Sequence, residues 1–109
     1  MKIVALPEVR KYLKELIQIL YEKEYFGFEA YAQKYVEDLF HDILTNLPYK
    51  LKKPAPPYFK RYGTKMLYAT FRKNKTTQWY VFFNVYRKKG ETIFVIRYIS
   101  NNHMVSQYL

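Results

Sequence analysis

The stretch TQWYVFFNVYR at 77–87 decides the fold, because its side chains alternate with a period of two and are largely apolar in both sets. One set is Trp79, Val81, Phe83 and Val85, and the other is Tyr80, Phe82, Asn84 and Tyr86. Strict alternation of this kind is typical of a β-strand. Since both sets are apolar or aromatic, we expect a strand at the centre of a sheet that is covered on both faces.

Two further strands are predicted beside this one. The run MLYATFR at 66–72 precedes it, and ETIFVIRYI at 91–99 follows it. The connections KNKT at 73–76 and KKG at 88–90 have the length of hairpin loops. The three strands most simply form an antiparallel meander.

The first half of the chain predicts one strand and two helices. KIVAL at 2–6 is a short apolar run, and Pro7 suits the first turn of a helix. The apolar stripe of the first helix would be Val9, Tyr12, Leu13, Leu16, Ile17, Ile19 and Leu20. Gly27 interrupts the pattern inside EYFGF, and a second helix is expected from 28 to 47, before Pro48. Its buried side would be Tyr35, Val36, Leu39, Phe40, Ile43, Leu44 and Leu47.

These elements predict an α+β fold in a single domain, residues 1–109. The order is β-α-α-β-β-β, with a small antiparallel sheet and an antiparallel helical hairpin packed on one of its faces. The segment YKLKKPAPPYFKRYGT at 49–64 holds three prolines and no periodicity, so we expect it to be extended and not helical. It is interpreted as a crossover from helix to sheet, with a proline-rich ligand for a partner domain as the alternative.

Several classes of site are not expected. The chain has no cysteine, and its two histidines, His41 and His103, stand far apart in sequence, so we predict neither a metal site nor a cofactor. His41, between two aspartates on the second helix, is interpreted as a surface residue without a role. The N-terminus lacks an apolar signal core, and there is no apolar run of about 18 residues. We therefore expect a cytoplasmic protein that does not enter a membrane.

The charge is divided unevenly along the chain. Residues 1–48 hold six Lys or Arg and eight Asp or Glu, a balance of −2, whereas residues 49–109 hold thirteen and one, a balance of +12. Such a field favours a polyanion as partner: nucleic acid, an anionic membrane surface or an acidic protein. The alternative is a solvated basic surface that only maintains solubility. The candidate nucleic-acid contacts are Lys52, Lys53, Lys60, Arg61, Lys65, Lys73, Lys75 and, as a stacking platform, Trp79.

The order of elements, the phrase WYVFFNVYR…TIFVIRYI and the tail SNNHMVSQYL together resemble the RelE/ParE superfamily of bacterial toxins. The resemblance implies a toxin of a toxin–antitoxin system: an endoribonuclease, or mRNA interferase, that acts on ribosome-bound mRNA and is held by a cognate antitoxin. It places Tyr108 at the tail tyrosine of the RelE branch and His103 near the tail histidine of the HigB and YoeB branches. Arg72 lies where several branches hold the scissile phosphate.

The residue types also suit this chemistry on their own terms. A ribonuclease without a metal lets the RNA 2′-OH attack the neighbouring phosphate, which needs a base, an acid and fixed cations. His103 can be base or acid, Tyr108 an acid, and Arg72 and Arg97 can bind phosphate. The competing structural roles are a turn cap for His103 and an ion pair with a helix acid for Arg97. Tyr108 is one of thirteen tyrosines and stands next to the terminus.

The sequence also departs from the family pattern. Tyr80 and Asn102 stand where arginines are usual, and Tyr68 and Thr70 stand where the RelE branch has paired lysines. These departures favour two alternatives on the same fold. One is a gyrase-directed, ParE-like inhibitor, and the other is a catalytically silent basic module that binds nucleic acid or protein.

Overall fold

Five strands form one mixed sheet in the computed structural model, which describes residues 1–23 and 27–109. The strands are β1 (Lys2–Ala5), β2 (Lys53–Pro54), β3 (Leu67–Arg72), β4 (Gln78–Lys88) and β5 (Glu91–Asn101). The helices are α1 (Pro7–Glu22), α2 (Glu29–Asn46) and the short α3 (Asn102–Val105). Three short 3₁₀ helices span Leu47–Tyr49, Pro57–Tyr62 and Ser106–Tyr108. The α+β class and the two long helices are confirmed.

The sheet order is β1-β5-β4-β3-β2. The meander of β3, β4 and β5 is antiparallel, as predicted. The prediction of an antiparallel sheet is wrong at β1, which pairs in parallel with β5, from Lys2 beside Ile93 to Ala5 beside Ile96. β3 is antiparallel to β4, and β4 is antiparallel to β5, so β3 and β5 run in the same direction. β1 runs in this direction too, because the helical hairpin between β1 and β3 returns the chain to the end of the sheet where β1 began.

The helical hairpin covers one face of the sheet, called here the helix face. Trp79, Val81 and Phe83 of β4 point into it and are at most 1% exposed. The core is completed by Val9, Leu13, Leu16, Val36, Leu39, Ile43 and Leu47 from the helical half. Ile19 and Leu44 were assigned to the buried stripes, but they are 38% and 39% exposed, because the stripe that meets the sheet is narrower than predicted. The start of the helix connection, at 24–26, lies outside the described residues.

The opposite face, called here the second face, is covered by the 49–64 segment and by the C-terminal tail. The prediction that this segment is not helical is wrong at Pro57–Tyr62, where a 3₁₀ turn buries Phe59 against Phe82, with ring centroids 4.3 Å apart. In the tail, Val105 is 3% exposed and packs in the same cluster. The expectation that the centre of β4 is covered on both faces is therefore confirmed.

Arg97 is the extra residue of a β-bulge in β5. Phe82 pairs with Tyr98 and Phe83 with Ile96, so Arg97 has no opposite residue in β4. A bulge shifts the alternation of side chains beyond it. Ile99 consequently joins the helix-face core, whereas simple alternation along β5 would place it on the same face as Arg97.

Candidate active-site residues and nucleic-acid interface

A turn at 73–77 joins β3 to β4 and anchors the start of the tail. The Asn74 Oδ1 accepts hydrogen bonds from the backbone N–H groups of Thr76 and Thr77, both at 2.9 Å. Asn102 reaches the same turn, donating from Nδ2 to the Thr76 carbonyl at 3.0 Å and accepting at Oδ1 from the Gln78 N–H at 2.9 Å. Both the oxygen and the nitrogen of the Asn102 side-chain amide are hydrogen-bonded, so Asn102, the first residue of α3, is fixed relative to this end of the sheet.

Arg72 and His103 border that turn from its two sides. Arg72 ends β3, is exposed, and donates from Nε to the Asn74 carbonyl at 3.1 Å. His103 lies in the first turn of α3, is exposed, and has Nε2 3.5 Å from the Thr77 Oγ1. The cap of α3 is Asn101, whose Oδ1 accepts from the Met104 N–H, so His103 is not the capping residue. Two of the four predicted catalytic side chains therefore border the same turn.

Arg97 lies elsewhere on the sheet. Its Nε donates to the Asn84 Oδ1 and its Nη2 to the Tyr86 hydroxyl at 3.0 Å, so the side chain runs across β4 toward the β4–β5 hairpin. The five residue-to-residue steps from Arg97 to Asn102 span roughly 16 Å at the usual rise of a strand. The predicted alternative of an ion pair with a helix acid is also wrong, since the described ion pairs join Lys11 to Glu15 and Lys34 to Asp38.

Asn84 explains why Arg97 is held in this way. Asn84 is 8% exposed, and its Nδ2 donates to the Thr64 carbonyl at 2.9 Å while its Oδ1 accepts from Arg97. A buried amide must be hydrogen-bonded, and here both of its ends are. The network ties β4 and β5 to the end of the 49–64 segment. The sequence showed Asn84 only as a polar residue in an apolar strand, which is a signal for such a network.

Tyr108 packs on the 3₁₀ turn of the second face. Its ring stacks on Tyr58 with centroids 3.6 Å apart and planes 4° from parallel, and the Arg61 guanidinium lies 4.0 Å from the Tyr58 ring centre. The hydrogen bond with Tyr58 raises the pKa of the Tyr108 hydroxyl. The group thus keeps its proton at neutral pH. No signal in the sequence identified Tyr58 as its partner.

The predicted phosphate contacts are mostly exposed. Those with exposed side chains are Lys53, Lys60, Arg61, Lys65 and Lys75. Lys52 is half-buried and donates to the carbonyls of Pro48 and Lys50 at 2.8 and 2.9 Å, which occupies much of its hydrogen-bonding capacity. Lys73 is half-buried and has Nζ 5.0 Å from the Tyr35 ring centre.

The predicted stacking role of Trp79 is wrong. Its side chain is 1% exposed and its Nε1 donates to the Tyr35 hydroxyl at 2.9 Å, so neither face of the indole is open to a base. Aromatic side chains of the second face are instead half-buried, which leaves part of each ring at the surface. They are Tyr58, Tyr62, Tyr68, Tyr80, Tyr98 and Tyr108. This group includes Tyr80, the neighbour of Trp79 in β4.

Within residues 1–23 and 27–109, no three His, Asp or Glu side chains lie together as metal ligands would. In the same part of the chain, no helix has the length and apolar character needed to cross a membrane. Comparison of the chain with protein-family models, curated proteins and solved structures found no match.

Proposed function

We propose that the protein is a toxin-type endoribonuclease of a toxin–antitoxin pair, which cleaves ribosome-bound mRNA without a metal ion. The observation that carries the proposal is that an exposed histidine and an exposed arginine, His103 and Arg72, border one turn at the end of a basic sheet. The RelE/ParE resemblance of the sequence supports it. So does the α+β order of elements, in which a helical hairpin covers one face of the sheet.

In this proposal, His103 transfers the proton and Arg72 stabilises charge. The imidazole takes the proton of the 2′-OH or gives one to the departing 5′-oxygen, because a histidine side chain can serve as base or as acid. The Nε of Arg72 is held by Asn74, and its two terminal nitrogens are left to bind the phosphate as negative charge develops. The Thr77 hydroxyl, 3.5 Å from Nε2, orients the ring.

In this proposal, Tyr108 and Arg97 are less suited to a catalytic role than His103 and Arg72. Tyr108 retains its proton and is chemically able to act as an acid, but it is stacked on Tyr58. Arg97 has two of its five N–H groups engaged by Asn84 and Tyr86 and points away from His103. We therefore propose a substrate-binding role for Arg97 and Tyr108 ahead of a catalytic one.

The remaining cations would hold the RNA backbone. Lys53, Lys60, Arg61, Lys65 and Lys75 are exposed, and none of them forms an ion pair with a described acid. Binding of several phosphates by such groups releases counterions, so affinity for RNA should fall steeply with salt. A cognate antitoxin with an acidic and apolar segment would compete for the same surface.

A second candidate is a non-catalytic protein, either a gyrase-directed inhibitor or a binding module. The contacts of Arg97 and Tyr108 favour it, because two of the four predicted catalytic residues are held in structural interactions. Such a protein has no proton to transfer. Its effect on cells would not depend on His103.

The test is His103→Gln, compared with His41→Gln as the matched control. Both histidines are exposed, and only His103 lies beside the turn at 73–77. Cleavage of mRNA by the His103 variant should fall on the order of 100-fold, the usual worth of a general acid or base. The control should cleave as the parent does, and both variants should melt at the parent's temperature, since neither side chain is buried.

Growth arrest in a bacterial host and primer extension on mRNA give the two readouts. Full toxicity of the His103→Gln, Tyr108→Phe double variant, at equal expression and stability, would exclude catalysis by the tail. That outcome would favour the non-catalytic candidate.

A further inference from the structure

A cleft of about 420 Å³ lies between the start of α1, the 3₁₀ turn Pro57–Tyr62 and β5. It forms because β1 ends at Ala5, beside Ile96, so the part of β5 beyond Ile96 has no strand on this side. Its polar lining residues are Glu8, Tyr12, Arg61, Tyr62, Arg97 and Tyr98. The volume falls in the usual range of small-molecule sites, about 300–1,000 Å³. The proposed proton transfer and charge stabilisation by His103 and Arg72 do not use this cleft, although two of its residues, Arg61 and Arg97, are among the groups proposed to bind RNA.

The tyrosines give the cleft flat and uncharged walls. Tyr62 and Tyr98 stack with ring centroids 3.8 Å apart and planes 4° from parallel. Burial raises the pKa of Tyr12 to about 12, and burial is also the main reason that the pKa of Tyr62 is about 12. Tyr62 and Tyr98 occupy each other's facing sides, so a planar ligand would stack on the parts of the rings that line the cleft.

Charged groups of both signs line the same cleft. Glu8 brings a carboxylate, which only accepts hydrogen bonds, and Arg61 brings a guanidinium, which only donates them. Neither forms an ion pair with a described residue. Arg61 is positioned by its Nε, which donates to the Tyr58 carbonyl at 3.2 Å, and its terminal nitrogens remain to bind a ligand. Arg97 is already bound to Asn84 and Tyr86, so Arg61 is the cation assigned to the ligand.

This combination selects among the possible ligands. A bare phosphate would be repelled by Glu8, and a cationic ligand would be repelled by Arg61 and Arg97. A planar ligand with donors on one edge and acceptors on another satisfies both groups. Guanine has this pattern, since N1–H and the 2-amino group donate while O6 and N7 accept. Adenine lacks both the N1–H and the O6, so it matches neither charged group fully.

We infer that this cleft binds a guanine base, with Glu8 accepting from its Watson–Crick edge, Arg61 donating to O6 and N7, and the tyrosines stacking on the ring. The inference rests on the proposed function only in taking the base from an RNA substrate. It makes Glu8 and Arg61 determinants of sequence preference, at a place separate from His103 and Arg72.

The direct test uses mononucleotides and the full chain. Guanosine, inosine and adenosine 5′-monophosphates are titrated separately into the protein, and binding is followed by amide chemical shifts in NMR spectra. The guanosine nucleotide should bind on the order of tenfold more tightly than the adenosine nucleotide. The inosine nucleotide should be intermediate, because it lacks the 2-amino group that Glu8 would accept from.

Glu8→Gln supplies the residue-level test, with Glu15→Gln as its control on the same helix. Glu15 is exposed and lies 4.0 Å from Lys11, away from the cleft. Glu8→Gln should abolish the preference for the guanosine nucleotide, and Glu15→Gln should leave it unchanged. Equal affinity for the three nucleotides in the parent protein, or an unchanged preference in Glu8→Gln, would overturn the inference.

RNA hexamers separate this inference from the proposed function. A uridine hexamer reports general RNA binding, and the same hexamer with one guanosine reports the added preference. Binding of the uridine hexamer without any nucleotide preference contradicts the guanine site alone. Preference for the guanosine nucleotide without binding of either hexamer supports the guanine site and contradicts the ribonuclease.

Discussion

Replacing Gly63 by alanine should destabilise the protein through Arg97. The backbone at Gly63 is extended, with φ at 162°, so the conformation itself accepts any residue. Space is what limits the position. A methyl group there would lie 2.7 Å from the Arg97 Cδ and 3.0 Å from the Met66 Sδ, closer than carbon and sulfur atoms approach in proteins.

The size of the effect follows from how firmly these neighbours are held. Arg97 cannot swing aside without losing its hydrogen bonds to Asn84 and Tyr86, and Met66 is 4% exposed within the second-face cluster. Added methyl groups in packed sites cost about 1–3 kcal/mol. For a chain of this length, each kcal/mol lowers the melting temperature by about 4 °C, so a loss of about 4–12 °C is expected.

The assay is thermal unfolding followed by circular dichroism, arranged as a double-mutant cycle. Gly63→Ala is measured in the parent and in an Arg97→Ala background, where the obstructing Cδ is absent. If the clash is with Arg97, the cost of Gly63→Ala should fall by on the order of 1 kcal/mol in the second background. Gly27→Ala is the matched control, because a methyl group at Gly27 meets no atom of residues 1–23 or 27–109 within 4 Å.

Two results would refute this reasoning. One is a Gly63→Ala protein that melts at the parent's temperature. The other is an equal cost in both backgrounds, which would mean that Arg97 is not held against Gly63. Either result would mean that the Arg97 side chain is mobile and is therefore able to bind a phosphate.

Two further predictions concern aromatic residues. Trp79→Phe removes the hydrogen bond to the Tyr35 hydroxyl and leaves a cavity, so the free energy of unfolding, measured in denaturant, should fall by about 1–3 kcal/mol. The affinity of the folded protein for RNA should not change, because the indole is buried. If the folded variant binds RNA more weakly than the parent, Trp79 does stack on a base. Tyr12 and Tyr62, with pKa values of about 12, should ionise late in a titration at 295 nm. Because their folded pKa lies above the ordinary value of about 10, their contribution to stability is complete below pH 10 and is lost as the pH rises through 12. Ionisation of all thirteen tyrosines near pH 10 would contradict this.

Side-chain periodicity was sufficient to predict most of the regular elements. The second helix and the three meander strands occur within one or two residues of their predicted bounds, and the first helix contains its whole predicted stripe, because the apolar spacing is strong and the loops between the strands are short. The direction of β1 was not predictable in the same way. A strand as short as β1 can pair with an edge strand in either direction, and its direction depends on how the helical hairpin returns the chain to the sheet.

The candidate site was less predictable because it depends on local irregularities. The sequence of β5 before Arg97 alternates regularly and gives no sign of the bulge. The bulge nevertheless directs the Arg97 side chain to Asn84 and not to a helix acid. The 3₁₀ turn that buries Phe59 forms in a proline-rich segment for which propensity predicts an extended chain. Residue type identified His103 and Arg72 as candidates, but only the fold shows that they share a turn.

The aromatic residues of this chain explain how so many cations fit on one half of it. Residues 49–109 hold thirteen Lys or Arg and one acid, so their charges repel one another. Aromatic rings stabilise some of these cations through cation–π contacts, as acidic side chains would do through ion pairs. Lys50 lies 4.7 Å from the centre of Phe71, Lys73 lies 5.0 Å from Tyr35, and Arg61 lies 4.0 Å from Tyr58.

Each such contact is worth about 0.5–1 kcal/mol at an exposed site, comparable with a surface ion pair. An acid would cancel the charge that it stabilised, whereas a ring leaves it intact. The aromatic content of the chain thus stabilises the cations without neutralising their field, and a field of that sign is what attracts a polyanion.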